Sequence, residues 1–448
     1  MKRWLALKDL LVDATLKTTD LVQETHQSVS QRVFGYAKLV EPLREPVELV
    51  ENVERASAGV AYTGVRIGTE LASRLVGVSL NVANHALDGG SQAETATPMS
   101  SRAVGSAAWT RDAALGVLNG VVGDFLESRE NGLSTPMSLR RNGVEIPAET
   151  TALRQALPDA KPRLCVFVHG LACTEWSWSA YAEDAWGDPE LNYGSLLESE
   201  HGYSVLFVRY NSGRRIATNG RGLAELLEAL VRAYPAPLEE LVLIGHSMGG
   251  LVSRSAAHHA HEAGLVWPAR LKHLICLGSP HHGAPLEKAG NLLTNVLLAF
   301  DTPGTQVPAK VINARSAGIK DLRFGALLED DWGGSHVDAL LDDRRRPVLP
   351  LSHVKYHFIA ASVSNDPEHP VGQALGDLMV RRGSAQGEHA ARERAIPLPA
   401  AHRVTLGGVT HLGLVNEPRV YSQLLAWLDE PQTDTDRRVL SAAGQGEP

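Results

Sequence analysis

Cysteine is scarce: the 448 residues contain three, Cys165, Cys173 and Cys276. An odd, widely spaced set builds neither a disulfide framework nor a Cys-x-x-Cys metal pair, and it fits a reducing compartment. Basic runs are lacking too. The longest is Arg344-Arg345-Arg346, and 43 Lys plus Arg stand against 51 Asp plus Glu for a formal charge of -8. The cationic patch that nucleic-acid binding needs is therefore absent. No uncharged apolar stretch reaches the length of about 18 residues that a membrane-spanning helix requires. The apolar start after Met1-Lys2-Arg3 is cut by Lys8, Asp9 and Asp13, too early for a signal-peptide core. These absences point to the cytoplasm and leave contact with a membrane or lipid surface open. What is present is an ordinary globular composition, 44% hydrophobic, enough for a large core in two or three domains.

Residues 1–130 read as a helical N-terminal region with almost no strand signal. Ala114, Val117, Leu118, Val121, Val122 and Phe125 fall on one helical face, which is predicted to bury against another element. Between Ser57 and Leu87 the only charges are Arg66, Glu70 and Arg74, a narrow stripe that suits either a packed bundle helix or one lying at a lipid interface. Gly89-Gly90 and the small polar residues up to about Val104 read as a linker. After Pro136 the period changes. Met137–Arg141 and Val144–Ile146 flank Asn142-Gly143, a strong hairpin signal. Short apolar runs then alternate with helical patterns: Leu164–Val168, Val205–Val208, Leu241–Gly245, Leu271–Leu277 and Tyr356–Ala361. Leu223, Leu226, Leu227, Leu230 and Val231 mark a crossover helix ending at Pro235. The prediction is an α/β domain over residues 136–430, with a mainly parallel sheet and helices on both faces. Residues 431–448 are polar and predicted to be disordered.

The chemistry concentrates at Leu241–Val252, an apolar strand followed by Gly-His-Ser-Met-Gly and at once by a helix. A serine on such a strand-to-helix elbow projects its hydroxyl at the helix N-terminus, and small neighbours permit the sharp turn. Ser247 is the expected nucleophile. It needs a base and an orienting acid downstream, in the order Ser, Asp or Glu, His. His411, in a loop before a helix that opens at Asn416-Glu417-Pro418, is the expected base. Asp377, in Gly376-Asp377-Leu378, is the preferred acid, with Asp366 before Pro367 as the alternative. The N–H groups of Met248, directly after the nucleophile, and of Leu171, after the strand that ends His169-Gly170, are the expected oxyanion donors. His169 and His246 read as positioning residues. Trp176 and Trp178 wall an acyl pocket or pack the core.

About seventy residues separate Gly283 from the strand at Tyr356. They carry a helical pattern from Leu286 to Phe300 and read as a cap over roughly residues 283–352, mobile or rigid. His281-His282 lacks the spacing of a metal pair, and neither metal nor organic cofactor is expected.

Taken in order, His169-Gly170-Leu171, Gly245–Leu251, Gly278–Pro285, Gly376–Val380 and Thr410–Leu414 resemble the α/β-hydrolase fold, and within it the lipase branch. With Arg315–Leu322 in the cap, residues 136–430 are similar to bacterial esterase/lipase proteins related to the GPI inositol deacylases. The resemblance implies Ser247, Asp377 and His411 as a triad and Leu171 and Met248 as oxyanion donors. It does not transfer a substrate. The function expected is hydrolysis of carboxylic esters of lipid-like or apolar acyl substrates. The alternatives are a thioesterase or amidase, or a lipid-surface or partner-binding protein that uses the fold as scaffold.

Overall fold

A computed structural model describes residue 23 and residues 107–284, 316–332, 343, 345–366, 376–377 and 379–429. The chain divides into two compact units, Met1–Ala114 with Val296–Ile312, and Leu115–Asn295 with Asn313–Pro448. The architecture below is that of the second unit. The helix expected within Ser57–Leu87, the linker to Val104, the cap helix from Leu286 to Phe300 and the tail 431–448 lie outside the described residues.

Eight strands form one sheet: β1 Ser138–Arg141, β2 Val144–Ile146, β3 Arg163–Val168, β4 Tyr203–Arg209, β5 Glu240–His246, β6 Leu271–Leu277, β7 Lys355–Ser362 and β8 Arg403–Gly407. Their order is β2-β1-β4-β3-β5-β6-β7-β8. β1 runs antiparallel to both its neighbours, and the strands from β4 to β8 are parallel. Asn142 and Gly143 close the first hairpin at φ 50° and 75°, the left-handed pair that a two-residue turn with matching twist requires.

The strands read as unbroken apolar runs because both faces are covered. On β3, Leu164, Val166 and Val168 face one core with helices α3 (Ile216–Ala233) and α4 (Met248–Glu262), while Cys165 and Phe167 face a second core with helix α5 (Pro418–Leu428). Helix α2 (Tyr193–Glu200) joins that second core and starts on a capping box between Asn192 and Ser195. α3 has no side-chain cap of its own. Its first amide, Ile216 N–H, donates to Asp321 Oδ2 at 2.7 Å, so a buried carboxylate from the short helix Ala317–Asp321 supplies the missing acceptor.

Two features depart from expectation. β8 was not legible: only five residues long and half-buried along its whole length, it lacks the apolar run of the central strands. The second concerns helix α1, Ala107–Ser128. Of its apolar stripe, predicted to bury, three residues are exposed, Val117 by 41%, Val121 by 46% and Phe125 by 57%, and Ala114, Leu118 and Val122 are half-buried. The buried side is instead Gly116, Asn119, Gly120, Gly123 and Leu126. A Cβ on Gly120 would lie 2.7 Å from Ala172 Cα, so the helix approaches that loop more closely than any larger residue allows. Asn119 adds polar anchors, donating to Leu133 O at 2.8 Å and accepting from Thr135 N–H at 2.9 Å. Close backbone approach and hydrogen bonding chose the face, against the hydrophobic period. Among the described residues no helix is long and apolar enough to cross a membrane.

Candidate active site

Ser247 follows β5 directly and caps α4 at φ 53°, ψ -122°, a conformation that L residues rarely adopt. The elbow closes only because its flanks carry no Cβ: one on Gly245 would lie 2.4 Å from Gly250 N, and one on Gly249 would lie 2.1 Å from Val168 O. Ser247 N–H donates to Leu277 O at 2.8 Å, which ties the elbow to the end of β6. Met248 is the first residue of α4, so its N–H is among the amides that find no acceptor within a helix.

His411 and Asp377 approach from loops beyond β8 and β7. His411 Nδ1 lies 2.7 Å from Asp377 Oδ2, and both side chains are buried. The other carboxylate oxygen accepts from Met379 N–H at 3.0 Å and Val380 N–H at 2.7 Å, so the acid cannot rotate away from the imidazole. The positive φ of Gly376, 58°, starts the tight loop that presents it. His411 is also held through its backbone: its N–H donates to Asp377 O at 3.2 Å, and its carbonyl lies 3.0 Å from His246 Nε2. A carbonyl only accepts, so His246 carries its proton on Nε2. Burial first, and the His411 charge second, lower the His246 pKa to about 3. A Cβ on Gly278 would meet His411 Nδ1 at 3.2 Å, which puts the imidazole against the end of β6, the strand that bonds the Ser247 amide.

The loop after β3 completes the set. A Cβ on Gly170 would lie 3.2 Å from Ser247 Cβ, so the chain at Gly170 packs on Ser247. His169 fixes that turn. Its Nδ1 lies 2.8 Å from Gly170 O, its Nε2 accepts from Tyr210 N–H at 3.3 Å, and its ring stacks on Tyr210 at 4.3 Å. Burial lowers its pKa to about 4, so it stays neutral as a positioning group. Ala172, at φ 59°, donates its N–H to Ser212 Oγ at 3.0 Å.

Three supports escaped the reading of the sequence: Tyr210, Ser212 and Asn416. Tyr210-Asn211-Ser212-Gly213 follows β4 as turn-type residues at the carboxyl edge, a weak signal that was available. Asn416 donates to Trp178 O and Ala180 O at 2.8 Å each and accepts from Trp186 Nε1 at 3.1 Å, locking the segment after His411. Nothing local announced it. Of the two tryptophans, Trp178 is a core side chain, edge-on to Phe167 with ring centroids 4.9 Å apart, and Trp176 packs against the hairpin turn at Gly143. Burial pushes the Cys173 thiol up to about 11 and the Cys276 thiol up to about 12, so neither offers a thiolate near neutral pH.

Residues 160–332 match the family described as PGAP1-like alpha/beta domain. Among curated proteins, homoserine O-acetyltransferase of Thermus thermophilus is 24% identical over 221 residues, which cover 44% of this chain and 56% of that protein. The chain thus spans about half the length of the curated relatives it matches. Among solved structures, a Bacillus licheniformis lipase aligns over 60% of this chain and 93% of its own at 22% identity, with a TM-score of 0.35. Phospholipase PlaB of Legionella pneumophila aligns over 63% of each chain at 14% identity, with a TM-score of 0.38. The family match, the mostly parallel eight-stranded sheet and the strand–serine–helix elbow agree: residues 160–332 match a PGAP1-like alpha/beta domain, and the fold is of the α/β-hydrolase type.

Proposed function

We propose that the protein is a serine hydrolase that cleaves carboxylic esters of lipid-like or apolar acyl substrates through Ser247, His411 and Asp377. The observation that carries this reading is the 2.7 Å pairing of His411 Nδ1 with Asp377 Oδ2, on a loop whose His411 carbonyl lies 3.0 Å from Nε2 of His246, the residue before Ser247. With Nδ1–H donated to the carboxylate, Nε2 keeps a lone pair for the serine proton. Ser247 Oγ attacks the ester carbonyl as His411 takes that proton, and Asp377 stabilises the imidazolium. The N–H groups of Met248 and Leu171 hold the oxyanion. Collapse of the tetrahedral intermediate expels the alcohol, protonated by His411, and leaves an acyl-enzyme. Water, deprotonated by His411, then releases the acid and restores the serine. Met379, two residues after Asp377, and Leu412, directly after His411, are 42% and 46% exposed, apolar side chains available to a greasy acyl chain.

The test is hydrolysis of p-nitrophenyl esters of graded acyl length by the wild type and by Ser247→Ala. The reading expects activity lost by about ten-thousand-fold or more in the variant and a preference for longer chains. Turnover that survives the substitution removes Ser247 as nucleophile, and a short-chain preference removes the lipid-like substrate.

A second reading, binding to a lipid surface, rests on the exposed Val117, Val121 and Phe125 of α1. Co-sedimentation of the full chain with phosphatidylcholine vesicles tests it. Binding that drops when all three residues become Ser supports it, and binding that is absent or unchanged rejects it.

A further inference from the structure

Away from Ser247, Asp377 and His411, a cavity that opens to solvent is lined by Arg254, Arg345, Arg346, Arg394, His281, His282, Asp331 and the stretch Pro347–Leu349. Among the described residues the lining carboxylate is Asp331, and Asp343 pairs with the lining Arg345 and Arg394, so the charge balance is decided by how these two acids are committed. Asp331 accepts three backbone N–H groups, from Leu327, Leu328 and Arg346. Asp343 is shared by two guanidiniums: Arg345 reaches both its oxygens at 2.8 Å, and Arg394 pairs with it at 2.7 Å.

Arg254 has no such partner. It projects from α4, is 4% exposed, and no described carboxylate pairs with it. Its Nη2 donates to Val348 O at 2.7 Å, and its Nη1 lies 3.1 Å from His281 Nδ1. A guanidinium only donates, so His281 Nδ1 is the acceptor and its proton sits on Nε2. That Nε2–H is buried and finds no acceptor, although His281 is only 2% exposed. The ring cannot turn to seek one, because it stacks on Phe358 at 4.0 Å. Among the described residues, a buried cation without a counter-ion and a buried donor without an acceptor therefore meet at one cavity, and each is costly in isolation.

We propose that this cavity is an anion site that takes a phosphate group, with Arg254 and His281 as its floor and Arg345 and Arg394 at its side. A tetrahedral oxyanion matches the fork of a guanidinium, accepts from several donors at once and supplies the negative charge that Arg254 lacks. Chloride offers none of that directionality. The site is independent of ester hydrolysis, and its occupancy is read without substrate.

The experiment is calorimetric titration of the full-length protein with inorganic phosphate at pH 8, with ionic strength matched by sodium chloride, and a parallel titration with glycerol 3-phosphate. The wild type shows saturable binding of phosphate, and Arg254→Gln weakens it roughly tenfold or more through loss of a charge-assisted contact. Tighter binding of glycerol 3-phosphate marks the group as part of a larger molecule such as a lipid head group; equal or weaker binding marks free phosphate. Because phosphate raises the Tm of most proteins by exclusion from their surface, Tm is followed in both variants. An anion site makes the gap between wild type and Arg254→Gln widen with phosphate concentration, whereas an arginine that merely holds Val348 O gives a constant gap. No saturable heat in the wild type with either probe, or the same affinity in Arg254→Gln, overturns the proposal.

Discussion

Buried histidines occupy both edges of the sheet, in contrasting surroundings. At the carboxyl edge His169, His246 and His411 face directional partners: Gly170 O and Tyr210 N–H for His169, His411 O for His246 and Asp377 Oδ2 for His411. Towards the amino edge His273 Nδ1 and His357 Nε2 lie 3.1 Å apart, and the His357 ring stacks on Trp427 at 4.4 Å and lies 4.3 Å from that of His402. Among the described residues no carboxylate pairs with His273 or His357. The difference teaches that burial alone holds an imidazole neutral, while a carboxylate at 2.7 Å fixes which way the His411 ring faces.

The strongest way to break the contrast is to remove that carboxylate. Asp377→Asn is expected to lower kcat for ester hydrolysis by about ten-thousand-fold, because the amide stabilises neither the needed tautomer nor the imidazolium. Asp366→Asn, the other acid after β7, is expected to stay within about twofold of wild type. Equal losses in the two variants would dissolve the assignment of Asp377.

Next in size is acid sensitivity. Burial, then the charges of Lys355 and His402, lower the His273 pKa from 6.5 to about 3. Burial likewise holds His357 well below its ordinary value, with His273 and His402 next. Below about pH 6.5 the unfolded chain binds protons that the native state refuses, so stability is full above that pH and falls as pH drops towards about 3. Each such histidine contributes a slope of about 1.4 kcal/mol per pH unit in that window. The double variant His273→Leu, His357→Phe should flatten the acid limb of urea-unfolding free energies measured between pH 7 and pH 4. An unchanged slope would assign the sensitivity to His169, His246 and His281 instead.

The smallest effect sharpens the carboxyl side. Asn416→Ala removes three hydrogen bonds behind the His411 loop and should cost about 1–3 kcal/mol of stability. It should also lower kcat by roughly tenfold to a hundredfold, since a slight displacement of the base suffices for that. Stability lost with kcat intact would make Asn416 a support of the fold alone.

Much of this was legible in one dimension. The central strands β3 to β7 were visible because full burial on both faces demands unbroken apolar runs, and the Asn142-Gly143 hairpin because few residues tolerate its backbone. The elbow was visible for a similar reason: Gly245 and Gly249 stand where backbone from another segment leaves no room for a Cβ. β8 was hidden because a short, half-buried strand needs no apolar run.

By itself, then, the order of residues determined the hairpin, the central strands of the sheet, the elbow at Ser247 and the candidates His411 and Asp377, because local sterics and burial periodicity act on neighbours along the chain. Only the tertiary structure decided that α1 turns its glycines inward and Val117 and Val121 outward, that Asn416 braces the His411 loop across more than two hundred residues of sequence, and that Arg254 is buried beside His281 with no carboxylate among the described residues. Each of these depends on which distant backbone arrives at a side chain, and a linear pattern carries no record of that.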